Sequence, residues 1–227
     1  MKKAVFTIIA FASLTISCSS IPRNIKDAFT QCYRGIYTGL DTLINLEGYY
    51  SSPSLIFYDN GLVIRPIAKD AEQLNRNDFS LLQEVAESQE TKFSKYHMYN
   101  FFDCGSYRIC GDTIKVQMIH KSYSINDSWR GKESWYKIID RNTLLFLSEY
   151  VITTNQKEKD FIEKNYPYSG GTKRTFVSVP ALPQPDYFWI LKEKWFWCYE
   201  EDWRLYMNRF WPSKKMKKRK ITYSLVY

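Results

Sequence analysis

The sequence is poor in the residue patterns that mark common catalytic and cofactor sites. It contains two histidines, His97 and His120, and neither lies in an HExxH motif. It has no CxxC pair, no GxSxG nucleophile elbow and no glycine-rich loop of the kind that cradles phosphates. Its 24 acidic residues include no pair that spacing singles out. We therefore predict no catalytic residue, no metal site, no cofactor and a non-enzymatic protein; an enzyme of unknown class is the least favoured alternative.

The apolar run near the N-terminus is too short for a permanent membrane helix. Residues 4–12 (AVFTIIAFA) span less than half of the ~20 residues that a transmembrane helix needs. The run follows Lys2 and Lys3 and leads through residues 14–17 (LTIS) to Cys18. This order is typical of a secretory signal. It predicts a signal peptide over residues 1–17.

A cysteine at the cleavage point resembles a bacterial lipoprotein signal, in which that cysteine becomes the lipidated first residue of the mature protein. Such signals usually carry Leu three residues before the cysteine, whereas this chain has Thr15 there and Leu14 one position earlier. An ordinary secretory signal cleaved near Ser19 or Ser20 is the alternative. The resemblance implies lipidation at Cys18 and an envelope protein anchored to the outer membrane. The lack of an acidic stretch in residues 19–23 favours a periplasm-facing position.

The net charge of +8 arises at the two ends of the chain. Lys2 and Lys3 leave with the signal, and the remaining six charges come from one run, namely Lys214, Lys215, Lys217, Lys218, Arg219 and Lys220. The body between them is balanced, which argues against nucleic acid as a partner because no basic face remains for a phosphate backbone. The terminal run either contacts anionic lipid head groups or forms a solvated tail.

Two hairpins are predicted from turn residues between β-rich runs. Asp59-Asn60-Gly61 separates residues 55–58 (LIFY) from residues 62–64 (LVI), and Gly111-Asp112 separates residues 107–110 from residues 113–118. A two-residue turn in the second hairpin pairs Ile109 with Ile114, Tyr107 with Val116 and Arg108 with Lys115. The strict alternation predicts a sheet with one buried face, which carries Tyr107, Ile109, Ile114, Val116 and Met118.

Further elements are predicted along the chain. Strands are expected at residues 48–50, at 135–139 and 143–147 around a turn at 140–142, and at 150–153 paired with 175–179. Residues 78–90 have helical spacing, and residues 180–185 (PALPQP) indicate a stiff linker. Apolar residues at helical spacing predict a C-terminal helix that Pro212 ends: Tyr199, Trp203, Tyr206, Met207 and Phe210.

Successive hairpins with one apolar face predict a mainly β fold, an antiparallel meander closing into a barrel with a C-terminal amphipathic helix. Gly48-Tyr49-Tyr50, residues 57–61 (FYDNG) and residues 107–114 (YRICGDTI), together with the signal, resemble the lipocalin-like β-barrel lipoproteins of Gram-negative bacteria. The resemblance covers about residues 46–180. The predicted organisation is a lipidated, weakly structured lead-in over residues 18–45, the barrel over 46–180, linker and helix over 181–212, and a basic tail over 213–227.

The resemblance implies a possible apolar cavity in the barrel, lined by Tyr107, Ile109 and Val116. Small barrels are commonly filled by their own side chains, so a ligand-filled and a self-filled interior are both open. His120 falls on the same buried face near the end of its strand. It is either a ligand contact at the barrel mouth or a hydrogen-bonded structural histidine. His97 is expected on the surface or in packing.

Four cysteines besides Cys18 are expected in an oxidising compartment: Cys32, Cys104, Cys110 and Cys198. Cys104 and Cys110 are six residues apart on one predicted strand, about 20 Å if it is straight, so they cannot bond to each other. Two pairings remain, Cys32–Cys104 with Cys110–Cys198, or Cys32–Cys110 with Cys104–Cys198. Free buried thiols are the alternative.

The C-terminal stretch holds five of the seven tryptophans: Trp189, Trp195, Trp197, Trp203 and Trp211. They are either a stacking platform for sugars, an aromatic belt at the membrane, or packing residues, and the last fits Trp203 best. The sequence thus predicts an envelope lipoprotein acting as a binding or structural module, whose barrel either holds a small apolar ligand or is filled by its own side chains. Glycan binding through Trp189, Trp195 and Trp197 is the alternative.

Overall fold

A computed structural model describes residues 20–51, 54–67, 102–121, 129–165, 170–179 and 182–211. The helices are α1 (Arg23–Ala28), α2 (Gln156–Asn165) and α3 (Glu200–Phe210). The strands are β1 (Gly48–Tyr50), β2 (Ile56–Phe57), β3 (Leu62–Pro66), β4 (Phe102–Cys110), β5 (Thr113–Lys121), β6 (Trp129–Asp140), β7 (Thr143–Val151) and β8 (Lys173–Ser178). Short 3₁₀ turns lie at Leu40–Thr42, Pro185–Tyr187, Trp189–Lys192 and Lys194–Phe196.

The strands form a nearly closed antiparallel barrel. Each strand from β2 to β8 pairs with its neighbour in sequence, and β8 also pairs with β1. An antiparallel bridge between Tyr50 and Leu55 joins β1 to β2, with backbone hydrogen bonds of 2.8 and 2.9 Å. This up-and-down order confirms the predicted mainly β, lipocalin-like barrel with a C-terminal helix.

Both predicted hairpins are confirmed, because their turn residues meet a local backbone requirement. Gly61 and Gly111 adopt φ values of +92° and +63°, a region that other residues rarely enter. The predicted register of β4 and β5 is also correct: Tyr107 lies opposite Val116, Arg108 opposite Lys115, and Ile109 opposite Ile114. The hairpin around residues 140–142 is present as β6 and β7, both longer than predicted.

The predicted pairing of residues 150–153 with 175–179 is wrong. Tyr150, the penultimate residue of β7, lies opposite Glu133 of β6, whereas β8 pairs with the beginning of β7, placing Thr175 opposite Thr143. The unpredicted helix α2 lies in the connection between β7 and β8. Alternation of apolar residues fixes which face a residue occupies but leaves open which distant strand it meets, since closure of the barrel decides that pairing.

One core cluster, which we name the inner cluster, lies inside the barrel at the end that carries the β4–β5 and β6–β7 turns. We name this end the turn end. The 3₁₀ turn at Leu40–Thr42 precedes β1 and contributes Leu40, and Ile44 follows the turn; both residues are 0% exposed. The cluster is rich in aromatic rings, and its buried members are Leu40, Ile44, Tyr50, Leu55, Phe57, Val63, Tyr107, Ile114, Val116, Met118, Tyr136, Leu144 and Phe146.

A second core cluster, which we name the outer cluster, lies on the outer face of the barrel. It joins outward-facing strand residues to both ends of the described chain, with Ile21 and Ile25 from one end and Tyr206 from the other. Its remaining buried members are Tyr33, Ile56, Tyr58, Leu62, Ile64, Phe102, Cys104, Ile119, Trp129, Phe188, Trp189, Ile190, Leu191 and Phe196. The N-terminal lead-in, expected to have weak structure, is therefore part of the core where it is described.

The lead-in is held on the barrel wall by Gln117 of β5. The backbone N–H groups of Thr30 and Gln31 donate to its amide oxygen over 2.8 and 2.9 Å. The Gln117 amide nitrogen donates to Glu133 over 2.6 Å. The predicted wet face of β5 is thus covered at this point, which is why Gln117 is 2% exposed.

The cysteine pairing differs from both predicted pairings. A disulfide joins Cys32 to Cys198, with Cα atoms 4.9 Å apart. Cys104 and Cys110 lie on β4 and do not bond to each other, as predicted, but both are free thiols. Cys104 is buried in the outer cluster, where burial raises the pKa of its thiol, and Cys110 is exposed beside the turn. The pairing follows from the meeting of the two terminal segments, which strand geometry does not reveal.

The C-terminal helix is confirmed as α3, with three acidic residues in its first turn and Arg209 in its last. Tyr206 is buried in the outer cluster, and Met207 and Phe210 pack against it. Tyr199 precedes the helix and is 54% exposed, so the predicted apolar stripe begins one turn later.

The predicted signal peptide, the predicted helix over residues 78–90, Cys18, His97 and the basic run at residues 214–220 lie outside the described residues. Within the described residues, no helix has the length and apolar character needed to cross a membrane.

Candidate functional site

The turn end of the barrel interior is filled by protein. Val116, Ile114 and Leu144 are 0% exposed, and Tyr107 is 6% exposed. A void large enough for a ligand would leave part of its lining accessible to water. Among the described residues, the interior around Tyr107 and Val116 therefore shows no cavity at this level, as the self-filled alternative expects.

Tyr107 acts as a structural anchor. Its hydroxyl donates to the carbonyl oxygen of Tyr58 over 2.7 Å and lies 2.7 Å from the Thr38 hydroxyl. Tyr107 and Ile109 also border a groove of about 410 Å³ between β4 and the lead-in, beside the Cys32–Cys198 disulfide. The structure thus places two predicted ligand contacts at an outer groove, while Val116 remains in the filled core.

A larger opening, which we name the lateral cleft, lies where β1 and β2 diverge. The two strands meet at the Tyr50–Leu55 bridge. Beyond the bridge, the cleft has a volume of about 1290 Å³. Its apolar lining residues are Ile44, Leu46, Phe57, Tyr58, Phe176, Val179 and Leu182, and its polar lining residues are Asp41, Asn45, Glu47, Asp59, Arg141 and Ser178.

The opposite end of the barrel interior carries charged side chains, which we name the polar cluster. Its members are Arg65, Asp103, His120, Arg130, Lys132, Ser134, Glu149 and Arg174. Alternation along each strand directs these side chains into the barrel. Arg65 lies on the same face as Val63, and Asp103 on the same face as Tyr107, and both Val63 and Tyr107 belong to the core cluster inside the barrel. His120 shares the face of Val116 and lies directly opposite Arg130.

Two ion pairs organise the polar cluster. The guanidinium of Arg65 donates through Nε to Asp103 Oδ2 over 2.8 Å, and a second nitrogen contacts the same oxygen. Asp103 is 1% exposed, and burial raises the pKa of its carboxyl despite the nearby Arg65. Lys132 donates to Glu149 Oε1 over 2.6 Å.

Two members of the polar cluster, Ser134 and Arg174, lie at its boundary with the filled aromatic core. Ser134 donates to Glu149 Oε2 over 3.0 Å. Arg174, 6% exposed, lies 5.5 Å from the centre of the Tyr136 ring and 5.4 Å from that of Phe146. Cation–π contact offsets part of the cost of burying this guanidinium.

His120 occupies the predicted position at the barrel mouth but lacks the full hydrogen bonding expected of a structural histidine. Among the described residues, its buried Nδ1 has no hydrogen-bond partner. The pKa of His120 is lowered from 6.5 to about 3, chiefly by burial and in addition by the positive charges of Arg65, Lys132 and Arg130. The ring is therefore neutral at pH 7.

The tryptophans mainly serve packing. Trp189 is 1% exposed and its indole N–H donates to Phe102 O over 3.3 Å, so it cannot stack on a ligand. Trp197 donates to Leu191 O over 2.9 Å and Trp203 to Lys192 O over 3.1 Å. Trp195 is half-buried and donates to Glu193 over 3.0 Å. The structure does not bring Trp189, Trp195 and Trp197 together as an exposed platform.

Sequence reasoning missed the polar cluster apart from His120. The signal in the sequence was a pair of polar residues on the inward face of a strand. Lys132 and Ser134 lie four and two residues before Tyr136 and therefore share its face, whereas Gly131 and Glu133 lie on the other face. That stretch was not predicted as a strand, because its charged residues and glycine lower β propensity. Glu149 was likewise hidden by the register shift between β6 and β7.

Within the described residues, no group of three or more His, Cys, Asp or Glu side chains is arranged to hold a metal ion. No known family, curated protein or solved structure matches this chain.

Proposed function

We propose that this protein is a lipid-anchored envelope protein of the lipocalin-like kind, which binds a small apolar ligand without catalysis. The ligand site is the lateral cleft rather than the filled turn end of the interior. The observation that carries this proposal is the divergence of β1 and β2, which opens a cleft of about 1290 Å³ beside an apolar floor.

The lining of the lateral cleft fits this role. Ligand sites are typically concave and mostly apolar, with a few polar groups that orient the guest. Ile44 and Phe57, 0% and 1% exposed, belong to the packed core behind the cleft and hold its accessible lining in place. Leu46 and Phe176 are half-buried and offer the accessible apolar surface.

The rim of the cleft favours a guest with a neutral or cationic polar end. Asp41, Glu47 and Asp59 are exposed there and outnumber Arg141. The Arg141 guanidinium donates to the carbonyl oxygens of Thr42 and Asp41, each over 2.9 Å, which fixes the wall of the cleft. An acidic rim repels fatty-acid carboxylates and tolerates neutral apolar molecules.

The anchoring proposal rests on Cys18 and on the placement of the described chain ends. Ile21 and Tyr206 belong to the same outer cluster, so both ends leave the barrel from one layer. Cys18 precedes Ile21 by three residues, and Lys214 follows Trp211 by three. A lipid at Cys18 and the basic run can then engage one membrane surface, where each cation near anionic lipid contributes about 1 kcal/mol.

Binding in the cleft is tested with the neutral fluorescent probe N-phenyl-1-naphthylamine. The Cys18→Ser protein is used, since it needs no detergent that would absorb the probe. We expect saturable fluorescence enhancement, weakened at least severalfold by Leu46→Gln. The control is Leu43→Gln, at a leucine 37% exposed three residues earlier and outside the cleft lining. Equal titrations for the two variants would contradict the cleft as the site.

Anchoring is tested by fractionation of cells that express the full chain. We expect the wild-type protein in the membrane fraction and the Cys18→Ser protein in the soluble fraction. Cys110→Ser, at an exposed free thiol, is the matched control and should stay with the membrane. Membrane retention of Cys18→Ser would reject the lipid anchor without bearing on ligand binding.

A further inference from the structure

The polar cluster carries an uncompensated positive field at the end of the barrel interior. The carboxylates of Asp103 and Glu149 are engaged by Arg65 and Lys132. Arg130 lies opposite His120 on the neighbouring strand. Among the described residues, no carboxylate lies at ion-pair distance from Arg130. A cation held in a partly buried site is costly unless an anion accompanies it.

The same cluster leaves hydrogen-bonding capacity open on neighbouring strands. Asp103 Oδ1 and His120 Nδ1 are buried atoms without a hydrogen-bond partner among the described residues. Buried polar atoms are rarely left unsatisfied, because each orphaned group loses its hydration without replacement. The carboxylate oxygen requires a donor, such as a hydroxyl, and the neutral imidazole nitrogen can donate to or accept from a guest.

The site can be reached, and it has a floor. His120, Arg130 and Lys132 are half-buried rather than fully buried, so this end of the interior is in contact with solvent. Below them, Ser134 and Tyr136 close the interior, and Val116 is 0% exposed. A guest can therefore contact His120, Arg130 and Lys132 without entering the aromatic core. Asp103 Oδ1 is buried, so a hydroxyl of the guest reaches it only after a neighbouring side chain moves aside.

We propose that the polar cluster binds a small hydroxy acid, whose acid group lies beside Arg130 and whose hydroxyl donates to Asp103 Oδ1. His120 completes the site as a neutral hydrogen-bonding group. This chemistry covers a hydroxycarboxylate or a sugar acid. The site is distinct from the lateral cleft and its acidic rim, so its test does not depend on ligand binding there.

The test is NMR of the two histidine rings in the ¹³C-histidine-labelled mature protein in detergent micelles, which polar solutes do not enter. His97→Gln assigns the two signals. D-gluconate is the probe, used up to about 10 mM, which nearly saturates a site with a Kd of ~1 mM. Hexanoate has the charge without the hydroxyls, and D-glucose has the hydroxyls without the charge.

We expect gluconate to shift the His120 signal saturably and to raise the His120 pKa, because an anion offsets the field of Arg65, Arg130 and Lys132. Hexanoate should bind about tenfold more weakly, and glucose should cause no shift. Arg130→Gln should weaken gluconate binding about tenfold, since a charge-assisted hydrogen bond is lost. Arg108→Gln is the matched control on the exposed outer face of β4 and should leave binding unchanged.

Absence of any His120 shift with gluconate in the wild-type protein would overturn the proposal without any variant having to fold. Equal responses to gluconate and hexanoate would overturn the role given to Asp103. Equal weakening by Arg130→Gln and Arg108→Gln would mean general charge attraction and would also overturn it.

Discussion

Cys32 and Cys198 are joined by a disulfide across 166 positions of sequence, with their Cα atoms 4.9 Å apart. The bond links the N-terminal lead-in to the segment that precedes α3. Backbone hydrogen bonds flank it: Tyr33 N–H donates to Phe196 O over 2.8 Å, and Cys198 N–H donates to Tyr33 O over 2.9 Å. The two chain ends thus form one covalently closed layer on the outside of the barrel.

Removal of this disulfide should destabilise the protein. Because the cross-link closes a long loop in the unfolded chain, we expect Cys32→Ser with Cys198→Ser to lower the free energy of unfolding by about 2–4 kcal/mol. Urea denaturation under non-reducing conditions measures this. Cys110→Ser, at the exposed free thiol, should change stability by less than about 0.5 kcal/mol. Non-reducing peptide mapping that linked Cys32 to Cys104 or Cys110 would contradict the observed pairing.

The buried ion pair between Arg65 and Asp103 and the exposed pair between Lys137 and Asp112 lie at opposite ends of the barrel. The two pairs should differ in their contribution to the free energy of unfolding. The Asp103 side chain is 2% exposed and that of Arg65 is 24% exposed, so Asp103→Asn leaves a largely desolvated cation unpaired. We expect a loss of about 2–3 kcal/mol in the free energy of unfolding at pH 7. Asp112→Asn, which breaks an exposed pair with Lys137 at 3.5 Å, should cost less than about 0.5 kcal/mol. Similar losses in urea denaturation would show that burial of the Asp103 pair is overstated.

His120 should make stability depend on pH below neutrality. Its pKa is lowered to about 3 in the folded protein, first by burial and then by Arg65, Lys132 and Arg130. Above pH 6.5 the ring is neutral in both states; below it, the unfolded chain binds a proton that the folded protein does not. The contribution of His120 to the free energy of unfolding is therefore fully present above pH 6.5 and is lost as the pH falls toward 3.

The comparison with His120→Gln isolates this effect. Between pH 7 and pH 5 the wild-type protein should lose about 1–2 kcal/mol more stability than the variant. Urea titrations at each pH measure the difference. Parallel pH profiles for the two proteins would mean that His120 titrates normally in the folded state.

Gln117 should stabilise the docking of the lead-in. Its amide oxygen accepts from two backbone N–H groups, and its side chain is buried at the strand surface. Gln117→Leu leaves those donors unsatisfied and should cost about 2–3 kcal/mol. Hydrogen exchange should speed up at Thr30 and Gln31 in the variant. Gln156→Leu, at an exposed position of α2, is the control and should leave both readouts unchanged; equal effects would contradict the anchoring role.

The sequence by itself determined the hairpins. Asn60-Gly61 and Gly111-Asp112 supply the turn conformations, and alternation on β4 and β5 assigns each side chain to a face, so Tyr107 opposite Val116 was predictable. The helical spacing of α3 was readable for the same reason. These features depend on neighbours within a few residues.

Only the tertiary structure decided which distant segments meet. The pairing of Cys32 with Cys198, the return of β8 to the start of β7, and the burial of Trp189 all depend on contacts between residues far apart in sequence. The polar cluster has the same origin: Arg65, Asp103, His120 and Glu149 come from four strands and share an environment only after the barrel closes. Local patterning fixes the direction of a side chain, and closure of the sheet fixes its neighbours.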